Sequence, residues 1–155
     1  MAGYYDASLI LAIVLAQGNP DELLPCWASE TVRISSALLK PECVVSIRRL
    51  ASRRIGATPD ATTGKAAKSV FQRLEPYLDG IEYRPLDDVI AGIVINDDRL
   101  ADCRTLDAIH MATALWFQPH LDEPLRICTL DKRLRDLALR LGFSVLPART
   151  PEEGK

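Results

Sequence analysis

Short apolar segments rich in β-branched or aromatic residues alternate with segments of helical period along this chain, and that alternation confines it to a parallel sheet covered by helices. Residues 3–7 read as a first strand, which runs into a buried helix carrying Leu9, Ile10, Leu11, Ile13, Val14 and Leu15. Asn19-Pro20-Asp21 breaks that helix and caps a second over 22–29, and the β-branched stretch 31–35 is the next strand. Between 37 and about 55, Val44, Ile47, Leu50 and Ala51 recur at helical spacing while Glu42, Ser46, Arg49 and Arg53 share another face. Pro41 is compatible with this helix only inside its first turn. A loop is expected at 56–64, a helix over 65–77 ending around Pro76, a weak strand at 81–84 and a helix over 87–96. The polar linker 97–104 leads to a helix over 107–117, a strand at 125–129, a helix over 131–141 stopped by Gly142, and a last strand at 143–146. The expected fold class is therefore α/β, a three-layer sandwich whose central, mostly parallel sheet is flanked by helices. Its 155 residues suit one core, expected over 1–147, with a flexible tail over 148–155.

Composition excludes several classes. A hydrophobic share of 48% with 26% charged residues is that of a globular chain, and no segment has the depleted composition of a disordered one. The net charge of -2 argues against a protein that grips nucleic acid over its whole surface, although a local basic patch stays open. The N-terminus lacks the positive region of a secretory signal, and the apolar run 9–16 is too short to span a bilayer. The expectation is a cytoplasmic protein without a membrane segment. Cys26, Cys43, Cys103 and Cys128 are scattered, with no pairing that suggests zinc or a disulfide framework.

In open α/β sheets ligands bind beyond the carboxyl ends of the strands, and both Asp6 and Asp131 follow a strand on that side. Thr105-Leu106-Asp107 and Thr129-Leu130-Asp131 share a pattern in which threonine stands where it would cap the following helix. An acid in a first turn is worth about 0.3–1 kcal/mol through the helix dipole alone, so either aspartate taken singly has a structural explanation. Asp6 does not. At the end of a buried strand beside Tyr5, its charge costs desolvation unless something positive sits nearby. Four carboxylates converging with no lysine or histidine in these short motifs to neutralise them suit a hard, oxygen-seeking cation such as magnesium or manganese, and such a site hydrolyses phosphodiesters.

Tyr4-Tyr5-Asp6-Ala7-Ser8, Glu42 early in a helix, Thr105-Leu106-Asp107-Ala108-Ile109-His110-Met111-Ala112-Thr113-Ala114, Cys128-Thr129-Leu130-Asp131-Lys132-Arg133-Leu134 and the closing Leu141-Gly142-Phe143-Ser144-Val145 occur in that order. Together they resemble the PIN domain, and in particular the VapC-type toxins of toxin–antitoxin pairs. The resemblance implies an endoribonuclease dependent on magnesium or manganese, with Asp6, Glu42, Asp107 and Asp131 as its catalytic and metal-holding acids. Ser8 and Thr129 match polar positions that support them. It also implies an RNA substrate whose cleavage inhibits translation, a homodimer, and a small antitoxin whose tail enters the active-site groove. Pro41 before Glu42 and Cys103-Arg104 before the third motif depart from the family pattern.

Arg48, Arg49, Arg53 and Arg54 form a basic cluster, and Arg49 and Arg53 share the Glu42 face, from which they could touch RNA phosphates or simply be solvated. His110, in a run of Ile, Met and Ala, reads as a packed, hydrogen-bonded core residue. Ser8 has no base placed to activate it as a nucleophile, and Tyr4, Tyr5, Trp27 and Trp116 are assigned to packing. Receiver-type and dehalogenase-type domains also use an aspartate after the first strand, but Asp6-Ala7-Ser8 lacks their second acid. The alternative that stays open is a catalytically inactive PIN-fold domain that binds RNA or protein.

Overall fold

A computed structural model describes residues 1–55 and 61–148, with the side chains of Pro20 and of residues 53–66 outside that description. Five strands, β1 (Ala2–Tyr5), β2 (Val32–Ser36), β3 (Glu82–Arg84), β4 (Leu125–Cys128) and β5 (Ser144–Leu146), form one sheet in the order β3-β2-β1-β4-β5. Every pairing is parallel, which sharpens the expectation of a mostly parallel sheet. Seven helices cover it: α1 (Ala7–Val14), α2 (Pro20–Ala28), α3 (Leu39–Ile55), α4 (Ala61–Asp79), α5 (Asp88–Asn96), α6 (Thr105–Phe117) and α7 (Lys132–Arg140).

The period of two along a strand divides β1 between two cores. Tyr4, fully buried, packs with Ile34, Ile90, Met111, Ala112, Ile127 and Leu134 on the α5, α6 and α7 side. Tyr5, equally buried, packs with Leu9, Ile10, Leu23, Leu39, Ile47 and Leu74 on the side of α1 to α4. Its hydroxyl donates to the carbonyl of Cys26 at 2.9 Å, and its ring meets Trp27 edge-on. The aromatics assigned to packing in this strand are therefore core on both faces.

The chain leaves β1 toward β2 and β3, then returns across the sheet to β4 on the other side of β1 and continues to β5. The strand order thus reverses between β1 and β4, and a crevice opens beyond their carboxyl ends. The ladder there extends one residue past β1, because Asp6 N–H donates to the Cys128 carbonyl at 3.0 Å.

Local signals placed most helix ends. Asn19 caps α2 and Asp87 caps α5. Gly142, at φ +90°, closes α7 with Gly142 N–H on Leu139 O and Phe143 N–H on Ala138 O, the paired bonds of a glycine-terminated helix. Pro41 falls in the first turn of α3, where its missing N–H has no intrahelical partner to lose.

Three expectations are corrected. α4 begins at Ala61 instead of 65 and passes through Pro76 to Asp79. A proline inside a helix costs about 3 kcal/mol, but Leu74 and Leu78 on either side are buried and Tyr77 meets Trp27 edge-on, so packing holds the last turn. α6 starts at Thr105, with Arg104 at the cap position and no side-chain cap bond. Leu50, expected to face inward on α3, is 36% exposed, and Leu39, Cys43 and Ile47 form the inward stripe instead. Within the expected loop, residues 56–60 lie outside the described residues, as does the expected tail beyond Ala148. Among the described residues no helix is long and apolar enough to cross a membrane.

Gly3 in the middle of β1 has no room for a side chain: a Cβ would lie 2.7 Å from Glu30 Cγ, 3.0 Å from Tyr5 Cε2 and 3.2 Å from Cys128 Sγ. Glu30 cannot retreat, being fully buried and ion-paired with Arg126. Gly3→Ala is expected to destabilise the fold by about 1–3 kcal/mol, measured as a lower urea midpoint with unchanged slope; a midpoint equal to the wild type would show that the sheet yields at β1.

Candidate metal centre

Asp6 stands at the N-cap of α1 with its carboxylate accepting Ser8 N–H at 3.1 Å. The Ser8 hydroxyl also donates to it, and Thr129 Oγ1 donates at 2.9 Å. All three bonds fall on Oδ2 of a carboxylate that is 7% exposed. Charge-assisted donors of this kind offset much of the desolvation cost that the sequence raised.

The same two hydroxyls hold the loop after β4. Ser8 Oγ accepts Leu130 N–H at 2.9 Å and Asp131 N–H at 3.2 Å, and Thr129 Oγ1 accepts Asp131 N–H at 3.0 Å. Each hydroxyl gives its single proton to Asp6, so the 3.2 Å approach between Ser8 Oγ and Thr129 Oγ1 is a contact of two acceptors tied to one carboxylate. Thr129 was expected to cap α7. Asp131 does so, accepting Arg133 N–H at 2.8 Å and Leu134 N–H at 3.3 Å, both through Oδ1.

Glu42 projects from the first turn of α3, with its Oε2 3.0 Å from His110 Nε2. Asp107 projects from the first turn of α6. Its carboxyl is held above its ordinary value by partial burial and then by the charge of Asp131. Asp6, Glu42, Asp107 and Asp131 therefore come from four different elements and line one cavity of about 320 Å³, together with Arg104, Thr105, Leu106 and His110. A neighbouring groove of about 460 Å³ shares Asp6, Glu42, Leu106 and Asp131 and extends over Leu11, Leu38 and Val45 to the exposed Arg49. Arg49 thus borders the acids as its helix face suggested, whereas the Arg53 side chain lies outside the described residues.

His110 is 2% exposed, as its apolar run required, yet it also lines the acidic cavity, which the sequence reading did not foresee. Burial alone would lower its pKa, but the hydrogen bond to Glu42 and the charges of Asp6, Glu42 and Asp107 outweigh it and raise the value. The local signal was its place one turn after Asp107 on α6, which puts both side chains on one helix face.

No family model matches the chain. Ribonuclease VapC46 of Mycobacterium tuberculosis (strain ATCC 25618 / H37Rv) is 32% identical to it over 145 residues, covering 92% of this chain and 95% of that protein. The chain belongs to the VapC ribonuclease family. Its five-stranded parallel sandwich is the PIN-like fold anticipated from the motifs.

For a VapC-family chain the donor set is chemically apt. Ligand atoms of Asp6, Glu42 and His110 lie within 4.8 Å of one another, and the cavity adds the carboxylates of Asp107 and Asp131. Carboxylate oxygens are the ligands that a hard divalent cation prefers. Both nitrogens of His110 are engaged, Nδ1 by Tyr4 and Nε2 by Glu42, so the acids fit such an ion better than the imidazole does.

Removing the Ser8 hydroxyl would take one donor from Asp6 and one acceptor from two backbone N–H groups. Ser8→Ala is expected to cost about 1–3 kcal/mol, or roughly 2–4 °C in Tm per kcal/mol for a chain of this size. A thermal scan with Tm unmoved would show that the clamp contributes nothing to stability.

Proposed function

We propose that this chain is the toxin of a VapBC-type toxin–antitoxin pair, a magnesium- or manganese-dependent endoribonuclease that inhibits translation by cutting RNA. The observation that carries the reading is the convergence of four carboxylates on one crevice at the point where the strand order reverses. Kinship to a protein named a ribonuclease supports the choice of RNA.

In this reading Asp6, Glu42, Asp107 and Asp131 hold the cation and are the catalytic acids. A bound divalent ion supplies Lewis acidity at the scissile phosphodiester and neutralises the charge that develops there. Ser8 and Thr129 orient Asp6 by donating to one oxygen and leaving the other directed elsewhere. The cap bonds to Asp131 likewise use Oδ1. Arg49, which lines the same groove, would meet a backbone phosphate of the strand in this reading, and Arg53, one turn further along α3, is assigned the same role from its position in the sequence. Leu11, Leu38 and Val45 add apolar surface to the same groove.

The partners follow from the same family reading: a cognate antitoxin entering the groove, a second copy of the chain, and a cytoplasmic location where RNA and antitoxin are met. α5 carries exposed Val89 and Ile95, and Leu86 just before it is exposed as well, so this is the apolar surface that a homodimer would cover. Light scattering on the purified protein at micromolar concentration is expected to give twice the chain mass, and a monomer would remove the dimer from the proposal.

The decisive experiment is cleavage of a mixed RNA pool with magnesium, manganese or chelator, beside Asp6→Asn. Cutting is expected with either metal, none with chelator, and a loss in the variant beyond the about 10–100-fold typical of outer-sphere changes. A folded wild type that neither cuts RNA nor binds the metals would overturn the reading in favour of a non-catalytic binding domain.

A further inference from the structure

The acids of the cleft do not all find their support in the same way. Asp6 and Asp131 are held by hydroxyls and backbone N–H groups, whereas the only hydrogen bond to the Glu42 carboxylate among the described residues comes from a side chain on a different helix, His110 on α6. That imidazole is itself fastened from behind. Tyr4, fully buried in β1, accepts Ser36 N–H at 3.1 Å on its hydroxyl oxygen, and the same oxygen lies 2.8 Å from His110 Nδ1. The two rings meet edge-on at 6.0 Å between centroids.

The order of donors in this chain settles which proton faces Glu42. The Glu42 carboxylate at Nε2 can only accept, while the Tyr4 hydroxyl at Nδ1 has a proton to give, so the neutral imidazole carries its proton on Nε2. A doubly protonated imidazole carries one there as well. In either state Nε2–H donates to Glu42 Oε2 at 3.0 Å, and the arrangement does not depend on titration.

We propose that His110 is a positioning residue that, through Tyr4 and the β2 backbone, ties back one oxygen of Glu42 and presents the other to the cation, an inference that rests on the metal-dependent reading above. Glu42 needs this more than the other acids. It sits in the first turn of α3 directly after Pro41, is partly exposed, and has one more rotatable bond than Asp6 or Asp131. His110, by contrast, is almost fully buried, with its ring orientation set at both nitrogens. Buried partners that fix a metal-binding carboxylate are worth about 10–100-fold in affinity.

The test is Mn²⁺ binding to the full chain, followed by electron paramagnetic resonance, for wild type, His110→Ala, His110→Gln, Glu42→Gln and the double variant His110→Ala/Glu42→Gln. Folding of each is checked by thermal scan without metal. Expected are a loss of about 10–100-fold in Mn²⁺ affinity for His110→Ala and recovery of most of it by His110→Gln, whose amide N–H reaches the Nε2 position. No further loss is expected when the alanine is added to Glu42→Gln, because a residue that acts through Glu42 has nothing left to position. A merely structural histidine would lower Tm without this pattern.

Two results overturn the inference while leaving the metal site standing: wild-type Mn²⁺ affinity in folded His110→Ala, or equal losses in both backgrounds, as a direct ligand would give. A wild type that binds no Mn²⁺ overturns the inference together with the reading beneath it. With only two histidines in the chain, nitrogen-15 shifts of the metal-free protein give an independent readout. They are expected to show His110 Nε2 protonated, and a bare Nε2 would refute the proposed donor even if an alanine variant failed to fold.

Discussion

Carboxylates gathered in a half-buried crevice repel one another and lose hydration, a cost that hydrogen-bond donors in the surrounding fold must offset. The supply is uneven. Asp6, the most buried, receives three hydrogen bonds on one oxygen. Asp131 receives two from the helix it caps, and Glu42 one from His110. Asp107 receives none among the described residues, and its carboxyl is held above its ordinary value by partial burial and by the charge of Asp131.

The clamp made by Ser8 and Thr129 does more than hydrate Asp6. It joins the start of α1, which follows β1, to the loop that follows β4. Those two strands flank the point of reversal, and α1 and α7 leave it on opposite faces of the sheet. Two hydroxyls therefore fix the relative position of the two halves of the sandwich and of two acids at once. Tyr4 plays the corresponding part on the other side, linking β1 to β2 through Ser36 N–H and to α6 through His110.

The elements themselves were legible because their signals are local. Period-two and period-3.6 patterning located five strands and seven helices, and Asn19, Asp87 and Gly142 marked ends through bonds that span two to five residues. Where a local rule met a tertiary contact, the contact won. Pro76 did not end α4, because the turn beyond it is pinned by Leu78 and by Tyr77 on Trp27. Neither threonine of the repeated motif caps its helix: Thr105 lies inside α6, and Thr129 is drawn to Asp6 while Asp131 takes the cap. The likeness of the two motifs in sequence conceals two different jobs.

The sequence by itself determined the class of fold, the end of the sheet at which the crevice opens, and the identity of the acids that line it. Those follow from periodicity and from which residue comes next after a strand, and both are properties of neighbouring positions. Only the tertiary structure decided how the acids are held. The bonds from Ser8 to residues 130 and 131, from Thr129 to Asp6, from Tyr4 to Ser36 and from His110 to Tyr4 and Glu42 join positions 32 to 123 residues apart. His110 shows the difference most plainly, since its neighbours in sequence are apolar and predict burial, while its partners across the sheet make it part of the acidic cleft. A hydrogen bond between distant segments exists only once packing has brought donor and acceptor within about 3 Å, and no local pattern carries that information.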